Sequence, residues 1–97
     1  MAADDTPDEP VSLPLDGRLD LHLFQPRDVP EVLDAYLVEC RAVGVLNIEV
    51  VHGKGTGTQA RRVRALLARR QDVASVRTAE EVRGGWGVTL VTLRPPP

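Results

Sequence analysis

Val45-Leu46-Asn47-Ile48-Glu49-Val50-Val51, running directly into His52-Gly53-Lys54-Gly55-Thr56-Gly57, decides the architecture of this chain. Leu46, Ile48 and Val50 alternate with Asn47 and Glu49, the period-two pattern of a strand with one covered face. Glycines at alternate positions end that strand. Residues 58–71 then bring Ala60, Val63, Leu66 and Leu67 onto one side at helical spacing. A strand, a glycine-rich turn and an amphipathic helix form one half of a crossover unit.

Working outward, the same unit repeats upstream. Residues 19–24 alternate, with Leu19, Leu21 and Leu23 on one side and Asp20, His22 and Phe24 on the other. Pro26 stops the strand. Asp28 with Glu31 reads as a capping box, with Pro30 tolerated in the first turn. Val29, Leu33, Tyr36, Leu37 and Cys40 recur at helical spacing, and Gly44 suits the residue after the helix, so 29–43 is predicted helix. Downstream, 73–79 and 86–93 read as a strand hairpin. The order is β-α-β-α-β-β. It predicts a two-layer α/β sandwich: a four-stranded mixed sheet with two helices on one face, the crossovers favouring parallel neighbours.

Composition sets the outer limits. The chain has 97 residues, with 42% hydrophobic and 27% charged residues, which fits one soluble domain with its own core. Residues 1–12, broken by Pro7 and Pro10, read as an acidic tail, residues 13–94 as the domain, and Pro95-Pro96-Pro97 as its end. No apolar run is long enough for a membrane span, and the N-terminus has no basic-plus-apolar leader. The lone Cys40 has no partner for a disulfide, and no Cys/His spacing suggests zinc. These features point to the cytosol and to no membrane partner.

The net charge of −2 hides a segregation. Of the 14 acids, five (Asp4, Asp5, Asp8, Glu9 and Asp16) fall in residues 1–17, which contain no Lys or Arg. That leaves nine acids against 12 basic residues, a local +3. Residues 52–70 hold Lys54, Arg61, Arg62, Arg64, Arg69 and Arg70 and no acid. The domain is basic, so a polyanionic partner is compatible with an acidic total. The tail itself reads as a polyanion mimic able to compete for the basic surface.

His22 lies near the C-terminal end of the first strand and His52 immediately after the second, each just before a helix. In parallel strands they emerge at one sheet edge, outside the carboxyl ends, where open α/β sheets bind ligands. Asp20 lies two residues from His22, close enough to fix its tautomer and prepare it for acid–base work, although the same spacing describes an exposed polar face. In the turn, the amides of Gly53, Gly55 and Gly57 can converge on an anion, with Lys54 adding charge and Thr56 or Thr58 capping the helix. The spacing matches neither the P-loop nor the dinucleotide fingerprint. Arg61 and Arg62 oppose the dipole of the second helix in its first turns, a cost that a bound anion would remove, and Arg64 lies on the flank. Arg69 and Arg70 suit the helix C-terminus without any further role. Tyr36 and Cys40 read as core, and Trp86 as core or as a base-stacking surface.

Leu19-Asp20-Leu21-His22, His52-Gly53-Lys54-Gly55 and Gly85-Trp86-Gly87-Val88-Thr89 together resemble the signature blocks of the Smr (small MutS-related) domain family, over about residues 13–94. The chain is most similar to small stand-alone members whose first block reads Leu-Asp-x-His-Thr-Phe. Leu23 stands at the Thr position, and Phe24 is kept. The resemblance implies a βαβαββ two-layer fold similar to the C-terminal domain of translation initiation factor three. It also implies nucleic-acid binding and endonuclease activity on RNA or structured DNA. By it, Asp20 and His22 match the proposed catalytic Asp-x-His, and His52 to Gly55 match the glycine-rich loop.

The resulting expectation is a phosphodiesterase whose partner is RNA or structured, branched DNA. On RNA, His22 would take the 2′-hydroxyl proton, Asp20 orient it, His52 protonate the leaving 5′-oxygen, and Lys54 with the loop amides stabilise the added charge, with no cofactor required. DNA lacks the 2′-hydroxyl, so nicking would call for Mg or Mn, with Asp20 as candidate ligand. The rival readings are a non-catalytic nucleic-acid-binding module, with Arg61, Arg62 and Arg64 on phosphates, and a small-molecule phosphate binder.

Overall fold

The computed structural model describes residues 14–53, 57–78 and 87–97. β1 (Arg18–Asp20) leads through two 3-10 turns, Leu21–Leu23 and Pro26–Asp28, into α1 (Val29–Ala42). β2 (Asn47–Val51), α2 (Thr58–Ala68), β3 (Val73–Thr78) and β4 (Val88–Leu93) follow. The sheet order is β1-β2-β4-β3. β1 pairs parallel with β2, and β4 runs antiparallel to both β2 and β3. The architecture is therefore the expected mixed four-stranded sheet with two helices.

Strand alternation sorts the sheet into two faces. Leu19, Ile48, Val50, Thr89, Val91 and Leu93 are buried under the helices. From α1 they meet Val29, Leu33, Tyr36, Leu37 and Cys40, and from α2 Val63 and Leu67. The other face carries a cross-strand row in register, Arg18–Glu49–Leu90–Arg77, with Arg18 and Glu49 ion-paired at 2.8 Å. Tyr36 fastens the chain entry to α1: its hydroxyl accepts from the Gly17 amide at 3.2 Å and donates to the Pro14 carbonyl at 3.1 Å. Burial raises that phenol to about 12. Arg70 fastens the other side, forking onto Asp72 at 2.9 and 2.8 Å and reaching Asp34 on α1. Ion pairing, rather than the helix terminus alone, thus accounts for Arg70.

Four expectations need correction. The first strand stops at Asp20 instead of running through residue 24, because Asp20 caps a 3-10 turn. Leu23, expected inward with Leu19 and Leu21, is consequently 68% exposed. Asp28 precedes α1 without a side-chain cap bond, so the capping box does not form. α2 begins after Gly57, whose left-handed φ of +85° replaces a side-chain cap, and ends at Ala68, earlier than expected. Finally, β2 and β3 are parallel but not neighbours. β4 lies between them and pairs antiparallel with both, the pairing that is slightly more stable per residue than a parallel β2–β3 contact.

Candidate nucleic-acid site at the sheet edge

The parallel β1–β2 pair delivers Asp20 and His52 to one edge of the sheet. Antiparallel β4 begins there, so Gly87 arrives at the same place. Three chain segments remote in sequence meet at this edge.

Asp20 and His22 are joined by the turn rather than by a shared strand face. The Asp20 carboxylate accepts from the His22 backbone amide at 2.9 Å and lies 2.8 Å from the His22 Nδ1. The amide bond first, and the ring contact after it, hold the Asp20 carboxyl below its ordinary value of 3.8. An ionised carboxylate at Nδ1 fixes the proton there and leaves the lone pair on Nε2. Both side chains remain open to solvent, at 61% for His22 and 43% for Asp20.

That Nε2 rests on Gly53. A Cβ at Gly53 would lie 2.6 Å from His22 Nε2 and 3.1 Å from Cε1, and the glycine has a φ of +81°. Behind it, Gly87 approaches so closely that its own Cβ would lie 3.1 Å from the Gly53 backbone. The Gly87 carbonyl accepts from both the His52 amide (2.8 Å) and the Gly53 amide (3.0 Å). His22, Gly53 and Gly87 thus stack in that order, through two contacts: a Cβ at Gly53 would displace His22, and one at Gly87 would crowd the Gly53 backbone.

His52 faces the other way. It is 8% exposed, with Nδ1 3.0 Å from the Gly53 carbonyl and Nε2 2.8 Å from the Thr89 hydroxyl. A carbonyl can only accept, so Nδ1 carries the hydrogen and Nε2 accepts from Thr89. Neither nitrogen is left for a leaving oxygen. The expectation of His52 as proton donor is replaced by a ring that braces the turn. Thr89 is the partner that sequence reading missed. It lay inside the Gly85–Thr89 block, but nothing in its spacing pointed at His52.

Arg61 returns toward the turn, its Nη1 3.7 Å from where a Gly57 Cβ would lie. Arg64 is exposed and Arg62 half-buried on α2. Lys54, Gly55, Thr56 and Trp86 lie outside the described residues. A separate depression of about 580 Å³, lined by residues including Arg18, Glu49 and Arg77, lies on the uncovered sheet face away from the histidines. Among the described residues no three His, Cys, Asp or Glu side chains converge as a metal site. None of the described helices is long and apolar enough to cross a membrane.

Known proteins share this fold. The chain superimposes on the crystal structure of the Smr domain of Thermus thermophilus MutS2 with a TM-score of 0.67 and 40% identity, covering 80% of this chain and 98% of that one. It matches YdaL, a stand-alone small MutS-related protein from Escherichia coli, with a TM-score of 0.65 and 31% identity, covering 84% of this chain and 66% of that one. The Endonuclease MutS2 of Staphylococcus carnosus is 36% identical over 76 residues, 78% of this chain but only 10% of that protein. The chain therefore spans about a tenth of the length of such relatives. A family model described as the Smr domain matches residues 19–94, which include Asp20, His22, Gly53 and Gly87, and on that match the chain belongs to the Smr domain family.

Proposed function

We propose that this domain binds nucleic-acid phosphate at the glycine turn and cleaves RNA with the Asp20–His22 pair. The observation that carries the reading is the 2.8 Å contact between Asp20 and His22 Nδ1, which leaves the Nε2 lone pair beside Gly53. The MutS2 relatives bear the name endonuclease, which supports the same class of chemistry.

In this reading His22 Nε2 takes the 2′-hydroxyl proton as the 2′-oxygen attacks phosphorus, and the bond from phosphorus to the 5′-oxygen breaks. The products are a 2′,3′-cyclic phosphate and a 5′-hydroxyl whose proton comes from water. Asp20 holds the imidazole in one tautomer and balances the imidazolium that forms. Arg61 and Lys54 offset the charge growing on the phosphate oxygens. This RNA reaction calls for no metal, and both His22 contacts fall on a single Asp20 oxygen, Oδ1.

The test incubates the purified chain with structured RNA and supercoiled plasmid, with and without EDTA, beside His22→Ala and Asp20→Ala. EDTA-resistant RNA cleavage ending in cyclic phosphate, lost in both variants, is expected. Tight binding with no cleavage above the His22→Ala background would leave a binding module instead.

A further inference from the structure

The helical layer is divided by charge. α1 turns Glu31, Asp34 and Glu39 to solvent, and its one base, Arg41, is bonded to the carbonyls of Arg94 and Pro95. α2 carries Arg61, Arg62 and Arg64 with Arg69 at its C-cap, and no acid. Arg18, Arg70 and Arg94 have partners within the fold, whereas Arg61, Arg62, Arg64 and Arg69 have none among the described residues. Four such cations, three of them exposed and Arg62 half-buried, along α2 and its C-cap beside the glycine turn suit an external polyanion.

The four do not share one side. Leu66 and Arg70 face α1, lining with Pro30, Leu33 and Asp34 a groove of about 140 Å³ between the helices. Arg62 precedes Leu66 by four residues and Arg69 follows it by three, so both stand on the groove side. Arg64 is two residues from Leu66, which turns it roughly 160° away. Arg61, leaning over Gly57, lies between the two sides. A phosphate held by Arg62 and Arg69 would stand on the side of α2 that faces Asp34 and α1, where its charge meets acids. A phosphate over Arg64 would have the width of α2, about 10 Å with its side chains, between itself and those acids.

We propose that a nucleic-acid strand leaving the site crosses α2 over Arg61 and Arg64, on the shoulder turned from α1 and toward β3, and that Arg69 lies off its path. The proposal rests on the nucleic-acid reading above and adds a direction to it. The occupant is a phosphodiester backbone, matched by charge and not by base identity.

The test is fluorescence anisotropy of the full chain with a structured RNA at several salt concentrations, with Arg64→Gln and Arg69→Gln. Both positions are exposed, so neither substitution threatens folding. Arg64→Gln should weaken binding about five-fold at low salt and lower the salt slope by about one, as the loss of a single phosphate contact does. Arg69→Gln should stay within about two-fold of wild type, since it removes no phosphate contact. Equal losses in the two variants, or no loss in Arg64→Gln, would overturn the path while leaving nucleic-acid binding intact. A wild-type chain with no salt-dependent binding would remove the underlying reading itself. A change in sedimentation without a change in affinity for Arg64→Gln would assign the shoulder to a second copy of the chain and overturn the path.

Discussion

His22 Nε2 occupies the space that a side chain at Gly53 would need, since a Cβ there would lie 2.6 Å away. The candidate base and the candidate phosphate turn are therefore one contact, made by residues 31 positions apart in the chain. Gly53→Ala should push His22 off the turn. Gly44, with a φ of +87° and nothing within 4 Å of its Cβ position, is the control. Both alanine variants should lose about 1–2 kcal/mol for the left-handed backbone. Only Gly53→Ala should also abolish RNA cleavage and move the His22 ring signals in NMR spectra.

Thr89→Val tests the brace. Thr89 is wholly buried and its hydroxyl is the donor that satisfies His52 Nε2. The isosteric valine leaves an imidazole nitrogen buried without a partner, which should cost about 1–3 kcal/mol in denaturant melts. Cleavage should fall less than in His22→Ala, because the brace acts on the turn and touches no reacting atom.

Acid stability should trace to Asp72. The forked Arg70 guanidinium holds its carboxyl below the ordinary 3.8. A carboxyl depressed in the folded state contributes stability that is complete above 3.8 and is lost as pH falls through the lower folded value. Asp72→Asn should be less stable near neutrality by about 1.5–3 kcal/mol. It should also lose less stability than wild type on acidification below about pH 4, followed by thermal melting at each pH.

Removing residues 1–12 deletes four acids and no Lys or Arg. If that segment competes for the basic surface of α2, the truncated chain should bind RNA several-fold more tightly at low salt. The difference should vanish as salt screens it, near about 0.5 M. Equal anisotropy titrations for the two chains would show the acids to be bystanders.

The periodicity of α1 and β2 was legible from single residues. Val29, Leu33, Tyr36, Leu37 and Cys40 are all buried where their spacing predicted, and Gly44 follows the helix. Leu19-Asp20-Leu21-His22-Leu23 alternates perfectly and so carries the pattern of a strand, while an Asp that bonds an amide two residues on turns the chain after Asp20. The proximity of Asp20 to His22 is the same in either conformation, since both a strand face and a capped turn bring residues two apart together.

By itself, then, the sequence determined the order of elements, the buried faces, the charge segregation and the pairing of Asp20 with His22. All of these depend on near neighbours or on composition. Only the tertiary structure decided that β4 inserts between β2 and β3, that His52 turns inward to Thr89, and that His22 rests on Gly53 with Gly87 behind. Those outcomes depend on which backbones approach within van der Waals distance across three chain segments. No local pattern encodes that, because what makes the approach close is the missing Cβ of a glycine whose partner lies elsewhere in the chain.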